Sequence, residues 1–205
     1  MIALIDYGSG NIRSVHNALR HEGADVELVA TPDRLANARG VVLPGVGAFG
    51  DCVHGLQSRG LWEPLRAWLD SGRPFLGICV GYQLLFEESE ETPGLRGFGY
   101  FRGRVKKFTT PGLKIPQIGW NSLQLANPNA PLWRGLPHQP HVYFVHSYFP
   151  APEDQSIVTA WTEYGETFAS AVGRENVVAV QFHPEKSQAV GLGILRNFIS
   201  NTPQT

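Results

Sequence analysis

The apolar residues of the chain follow two rhythms. Residues 2–5, 41–43 and 75–78 form short apolar runs of the kind carried by strands buried on both faces, and 26–29 is apolar but for Glu27. Between them apolar positions recur three or four apart, as in Ile12, Val15, Ala18 and Leu19. This pattern predicts strands at 2–5, 26–29 and 41–43, a helix over 12–22 closed by Gly23, and a weak helix over 32–38. An amphipathic stretch over 49–69, broken near Gly60, leads to the strand that ends at Cys79. A helix is expected from Val80 to about Glu88, with Leu84 and Leu85 facing the core. Glu87, Glu88, Glu90 and Glu91 would crowd its carboxyl end as solvated charges, one of which could instead hold a substrate ammonium.

From residue 94 to about 148 the helical rhythm stops, and strands are expected over 101–108, 117–125 and 142–149, joined by loops rich in proline and glycine. Further strands follow at 157–164, 167–173 and 177–181. Ser187 is placed to cap a last helix that buries Val190, Ile194, Leu195, Phe198 and Ile199, with a fraying tail from Thr202 to Thr205. The alternation predicts an α/β fold: a mostly parallel, doubly wound sheet with flanking helices, and an additional antiparallel strand segment in the C-terminal half. Sites in such sheets lie at the carboxyl ends of the strands.

Composition narrows the classes without choosing among them. With 205 residues, 42% apolar content and a net charge of −1, the chain reads as one domain over 1–205 and an ordinary soluble globule. Seventeen basic residues against eighteen acidic ones exclude a general polyanion binder, and Arg102, Arg104, Lys106 and Lys107 alternate with Gly103 and Val105 as a solvated strand face. Two cysteines, Cys52 and Cys79, give neither a disulfide framework nor a zinc pattern, which points to a reducing compartment. Only the four apolar residues Ile2 to Ile5 lie between Met1 and Asp6, too few for a signal peptide or a membrane span, so a cytoplasmic location is expected. No HExxH, CxxC, EF-hand or Walker pattern is present, and neither a metal nor a cofactor is expected.

Candidate chemistry gathers at Cys79. A nucleophile at a sharp strand-to-helix turn stands clear of the sheet, and the unpaired N–H groups and dipole of the following helix favour its thiolate. The competing reading is a small buried residue at a strand end. Gly77 and Gly81 flank the sulfur, as a close-approaching substrate would require. Residues 45–50 spell GxGxxG, but after the third strand rather than the first, which argues against a dinucleotide site. Glycines there suit an oxyanion hole of backbone N–H groups. His183 follows an apolar strand, is pinned by Pro184, and has Glu185 two positions on: a base and its orienter for a thiol. His146, Ser147 and Tyr148 end a strand on what would be the same rim. Trp120 beside Gly119 reads as core, or alternatively as an interface anchor.

The segments Pro44-Gly45-Val46-Gly47, Gly77-Ile78-Cys79-Val80-Gly81-Tyr82-Gln83 and His183-Pro184-Glu185 together resemble the class I, triad-type glutamine amidotransferases, and the likeness runs over nearly the whole chain. Asp6-Tyr7-Gly8-Ser9-Gly10-Asn11, Ile118-Gly119-Trp120-Asn121 and Phe144-Val145-His146-Ser147-Tyr148 narrow it to the members that supply ammonia to a cyclase making imidazole glycerol phosphate. The resemblance implies Cys79 as nucleophile, His183 as general base and acid, Glu185 as its partner, and an oxyanion hole from N–H groups of Val46 or Gly47 and of Val80. It implies glutamine held by Gly45, Gln83, Glu91, His146, Ser147 and Tyr148. It further implies a heterodimer with a (β/α)8-barrel cyclase subunit faced by Asn11, Trp120 and Lys186. Val80 and Tyr82 replace the family's commoner leucine and methionine. A stand-alone cysteine hydrolase or peptidase of the same fold, and a catalytically silent regulatory subunit, remain open on the residues alone.

Overall fold

The computed structural model describes residues 1–8 and 11–203; Ser9 and Gly10 of the opening loop, and Gln204 and Thr205 of the tail, lie outside the described residues. The chain runs β1 (Ile2–Ile5), α1 (Ile12–His21), β2 (Val26–Val29), β3 (Gly40–Gly45), α2 (Phe49–Ser58), α3 (Trp62–Asp70), β4 (Phe75–Cys79), α4 (Val80–Gln83) and β5 (Glu88–Ser89). It continues with β6 (Gly103–Lys107), β7 (Gln117–Ser122), β8 (Gln124–Leu125), β9 (His141–His146), β10 (Tyr148–Pro152), β11 (Val158–Glu163), β12 (Thr167–Arg174), β13 (Val177–Val180) and α5 (Gln188–Asn201). The predicted helix at 32–38 is a 3-10 helix over Pro32–Asn37.

An eight-stranded sheet in the order β2-β1-β3-β4-β13-β12-β11-β8 forms the frame. Its first five strands are parallel and the last three antiparallel. β1, β3 and β4 are buried at every position, which is why each reads as an unbroken apolar run rather than an alternation. Two registers set up the chemistry. Gly45 is the partner of Cys79 across β3 and β4, and Val180 is the partner of Ile78 across β13 and β4, so Gln181 follows at the level of Cys79. A small sheet, β10-β6-β5, and a two-stranded ribbon, β7-β9, lie beyond the main sheet. On the basic side of the β6 segment Arg102 and Arg104 are exposed and Lys106 is half-buried, as expected of a solvated strand face, while Lys107 falls on the other side.

The helix after Cys79 ends at Gln83, well short of Glu88. The carbonyls of Leu84, Leu85, Phe86 and Glu87, which a longer helix would use internally, accept instead from the N–H groups of Phe98, Phe101, Gly99 and Gly97. Residue 97 must be glycine for this approach, since a Cβ there would lie 2.1 Å from the Phe86 carbonyl oxygen. The acidic cluster is correspondingly employed rather than frayed: Glu87, Glu90 and Glu91 accept from the N–H groups of Gly103, Lys107 and Phe49. The tail also departs from expectation, because Thr202 is buried with its hydroxyl donating to the Phe198 carbonyl.

Helix α4 sits on the sheet with no clearance. A Cβ at Gly81 would come within 1.9 Å of the Leu43 carbonyl oxygen in β3, and one at Gly77 within 2.7 Å of the Gly81 oxygen. These glycines therefore serve helix-to-strand packing, not access to the sulfur. Gly81→Ala is expected to lower unfolding free energy by about 3 kcal/mol in urea titration, the range for overpacked cores. Gly173→Ala in β12, whose Cβ would meet its nearest neighbours at an ordinary 3.4 Å, is expected to change it by less than about 1 kcal/mol.

Candidate active site

Cys79 joins β4 to α4 with φ 55° and ψ −110°, a conformation costing a non-glycine residue about 1–3 kcal/mol and sustained by the packing around it. Its side chain is only 4% exposed, so the sulfur is reached through a cavity rather than from open surface. That cavity, about 280 Å³, is walled by Val46 and Gly47 from the loop after β3, by Val80 and Gln83 of α4, by Glu91, by His146, Ser147 and Tyr148 where β9 passes to β10, and by His183. The N–H of Val80, in the first turn of α4, has no intrahelical acceptor. The Val46–Gly47 backbone stands on the same wall.

Cys52 differs from Cys79 in its surroundings. It is buried on α2 against the Tyr7 hydroxyl, 3.2 Å away, and burial raises it to about 11 although the Tyr7 hydrogen bond works the other way. It is an inert thiol at neutral pH.

His183 leaves β13 with its N–H on the Tyr143 carbonyl of β9, at 2.9 Å. Its Nδ1–H donates to Glu185 Oε1 at 2.8 Å, both side chains being almost wholly buried, and this fixes the tautomer that leaves Nε2 free to take a proton. Nε2 is buried and makes no hydrogen bond of its own, so its coupling to Cys79 is one of charge and proximity rather than an aligned bond. Burial alone would lower the imidazole; the interactions with Cys79 and then with Glu185 outweigh it and raise His183 from 6.5 to about 10. Asn11 Nδ2 reaches the same Glu185 oxygen at 3.5 Å. Ser187 stands at the N-cap of α5 but does not cap it. Its hydroxyl donates to the His183 carbonyl at 2.6 Å and accepts from the Tyr143 N–H at 2.9 Å, tying the base to β9.

His146 is the opposite case. It is enclosed by the rings of Phe108, Phe144 and Phe168, with centroids 5.2–5.5 Å away, and burial lowers it to about 4 despite a 2.8 Å bond from Nδ1–H to the Tyr148 carbonyl. The ring is neutral at physiological pH and Nδ1 carries its hydrogen, so Nε2 is an acceptor, and the Gln117 amide, whose Oε1 is placed 2.9 Å away, must be turned to present its NH2 to the ring.

Of the other predicted substrate residues, Gln83, Glu91, Ser147 and Tyr148 line the cavity, while Gly45 does not. A Cβ at Gly45 would fall 2.7 Å from the Val80 Cβ, so this glycine admits α4 rather than a ligand. The Glu91 Oε2 atom accepts the Phe49 N–H at 2.7 Å, which fixes a carboxylate at the N-terminus of α2 on the cavity wall. Trp120 and Lys186 lie outside the cavity. Trp120 is 48% exposed, which overturns its core reading, and Ile118 two residues earlier is 54% exposed on the same face of β7. Across the ribbon Tyr143 meets the Trp120 ring edge-on at 6.1 Å and has the Lys186 ammonium 5.9 Å from its own centroid. A larger cavity of about 430 Å³, around Pro74, Asn176 and Phe198, contains none of the predicted site residues. The residue that sequence reasoning missed is Gln181, whose side-chain Nε2 lies 3.7 Å from the Cys79 sulfur. Its signal was a polar side chain closing an apolar strand two residues before His183. Among the described residues no cluster of His, Cys, Asp and Glu could hold a metal ion, and no helix is long and apolar enough to cross a membrane.

A cysteine at a strand-to-helix elbow, a buried histidine–glutamate pair and a glycine-rich loop on the adjoining strand are the parts of a thiol amidohydrolase. The family model "Glutamine amidotransferase class-I" matches residues 3–201, and the chain belongs to that family. It is similar, more narrowly, to the proteins called imidazole glycerol phosphate synthase subunit HisH. That of Syntrophotalea carbinolica is 50% identical, over 97% of this chain and 98% of its own length, and that of Thermosynechococcus vestitus is 51% identical, over 97% and 96%. Among solved structures, a glutamine amidotransferase superposes with TM-score 0.76 at 19% identity over 98% of both chains. The PurLQS structure from Thermotoga maritima superposes with TM-score 0.74 at 18% identity, over 98% of this chain and 97% of the matched one. These two likenesses establish the class I glutamine amidotransferase fold.

The raised His183 gives a pH signature. Its charged form contributes stability that is fully present below about 6.5 and is lost as pH rises through about 10. The fall in unfolding free energy between neutral pH and about 10 is expected to be smaller in Glu185→Gln, where part of the support for the imidazolium is gone. Denaturant titrations of both chains at a series of pH values measure the difference.

Proposed function

We propose that Cys79, His183 and Glu185 hydrolyse L-glutamine to L-glutamate and ammonia, and that the ammonia passes to a partner cyclase subunit forming imidazole glycerol phosphate. The chain is a glutaminase of histidine biosynthesis. The observation that carries the triad reading is that His183 shares one cavity wall with Cys79 while its Nδ1 is held by the buried Glu185 carboxylate behind it. His183 Nε2 takes the thiol proton, and the thiolate attacks the carboxamide carbon. The resulting oxyanion is met by N–H groups of Val80 and of Val46 or Gly47, each donor contributing about 3 kcal/mol to the transition state. His183 returns the proton to the departing nitrogen, ammonia leaves, and a thioester remains. Water, deprotonated by the same nitrogen, attacks the thioester and releases glutamate.

Substrate recognition follows from the wall. The anchored Glu91 carboxylate suits the substrate ammonium, and Gln83 with the chain from His146 to Tyr148 offers amide and backbone groups to its polar ends. The match over residues 3–201 supports taking 1–205 as a single glutamine amidotransferase domain. Trp120 and Ile118, an exposed apolar pair on the β7–β9 ribbon beside Lys186, suit a docking face for a (β/α)8-barrel cyclase in a heterodimer, and the biosynthetic role suits the cytoplasm.

Glutamate release is measured for the chain alone, with the cyclase, and with the cyclase and its nucleotide ligand. Turnover is expected in the complex and is expected to vanish in Cys79→Ser; no turnover under any of the three conditions would sink the proposal. Trp120→Ala is expected to weaken cyclase binding by about 30-fold, the size of an aromatic hot spot, measured as a dissociation constant by titration calorimetry.

A further inference from the structure

Gln181 is fully buried, does not line the substrate cavity, and yet points a side-chain amide at the nucleophile. Which end of that amide faces the sulfur is decided by a chain of hydrogen bonds with one consistent direction. The Tyr148 carbonyl can only accept, so the amide 3.0 Å from it must present nitrogen, which orients Gln83. The same Gln83 nitrogen lies 3.2 Å from the Gln181 side chain and donates its second hydrogen there, so the Gln181 atom facing Gln83 is its oxygen. The remaining Gln181 group, the NH2, is thereby the one placed 3.7 Å from Cys79 Sγ. Its height beside the sulfur is set by the Val180–Ile78 register and by the bond from its own N–H to the Ser170 carbonyl, 2.9 Å long. Backbone register fixes the position, and one carbonyl, relayed through Gln83, fixes the polarity.

We propose that Gln181 is a further catalytic residue, donating a side-chain N–H to the Cys79 sulfur and holding it as a thiolate. The proposal rests on the reading of Cys79 as nucleophile. A donor to sulfur favours S⁻ over S–H, because only the charged form accepts strongly. The proton of the thiol goes to His183 Nε2 and no bond to Gln181 is made or broken. The same donor assists when the sulfur is expelled as thiolate from the tetrahedral intermediate of the second half-reaction. Other groups around the sulfur are the His183 imidazole, the Glu91 carboxylate and the neutral His146 on the cavity wall, and the Cys52 thiol behind the loop after β3. Of the side chains, only Gln181 is a neutral donor within hydrogen-bond reach of the sulfur among the described residues.

The test is the pH dependence of Cys79 alkylation by iodoacetamide in the full-length chain, followed by peptide mass spectrometry so that Cys52 is counted separately. Gln181→Met removes the donor at similar volume. Its alkylation midpoint is expected about one pH unit above wild type, and glutamine kcat/KM in the cyclase complex about 10-fold lower or more, mostly through kcat. Gln181→Glu keeps the shape but replaces the NH2 by an acceptor, and its midpoint is expected to rise at least as far. A folded Gln181→Met or Gln181→Glu chain that alkylates on the wild-type curve overturns the assignment. Since alkylation reads the sulfur whatever its substrate, absence of glutamine turnover in the wild type would count against the proposed function and leave this readout intact.

Discussion

The structure depends on the zero-clearance contact between α4 and the sheet. Because Gly81 lies directly against the Leu43 carbonyl of β3, the chain has no room to leave β4 gradually and must reverse at Cys79 with a positive φ. The strain at the cysteine is thus an outcome of packing one layer away, and it aims the sulfur between the loop after β3 and the last residues of the β13 segment. Gly45, Gly77 and Gly81 are three faces of this single constraint, each excluding a side chain from the seam between helix and strands. Function at this site is therefore paired with a core that tolerates little change.

Around the sulfur, environments diverge over short distances. His183 and His146 share the same cavity wall, yet one is driven up to about 10 and the other down to about 4. Burial lowers both rings. For His146 it prevails among tilted aromatic rings and neutral amide groups, whereas for His183 the Cys79 side chain and the Glu185 carboxylate outweigh it. The same contrast separates Cys52, silenced by burial, from Cys79, which sits among donors.

Much of this was legible from the chain. Continuous apolar runs mark strands buried on both faces, and β1, β3 and β4 are such strands. Cys79, His183 and Glu185 each stand out by local context, and the structure places Cys79 and His183 on one cavity with Glu185 bonded to the imidazole. What escaped depends on tertiary partners: α4 stops early because a distant segment, 97–101, takes the carbonyls a helix would need, and the acidic cluster is drawn off to cap backbone N–H groups. Gln181 escaped because its significance lies in register. Nothing in its immediate neighbours says that Val180 pairs with Ile78, and only that pairing puts it beside the sulfur. At Trp120 the residues left two readings open, since a large aromatic beside a glycine reads equally as core or as surface until the ribbon's free face is known.

Tyr143 belongs to two structures at once. Its ring stands on the outer face of the ribbon with Trp120 and Lys186, while its carbonyl and N–H hold His183 and Ser187. Between the exposed face and the catalytic base there is a single residue of β-strand and no intervening joint. The strand that carries the outer ring is thus also a backbone anchor of the buried imidazole, and the free face of the ribbon and the floor of the cavity are two sides of one residue.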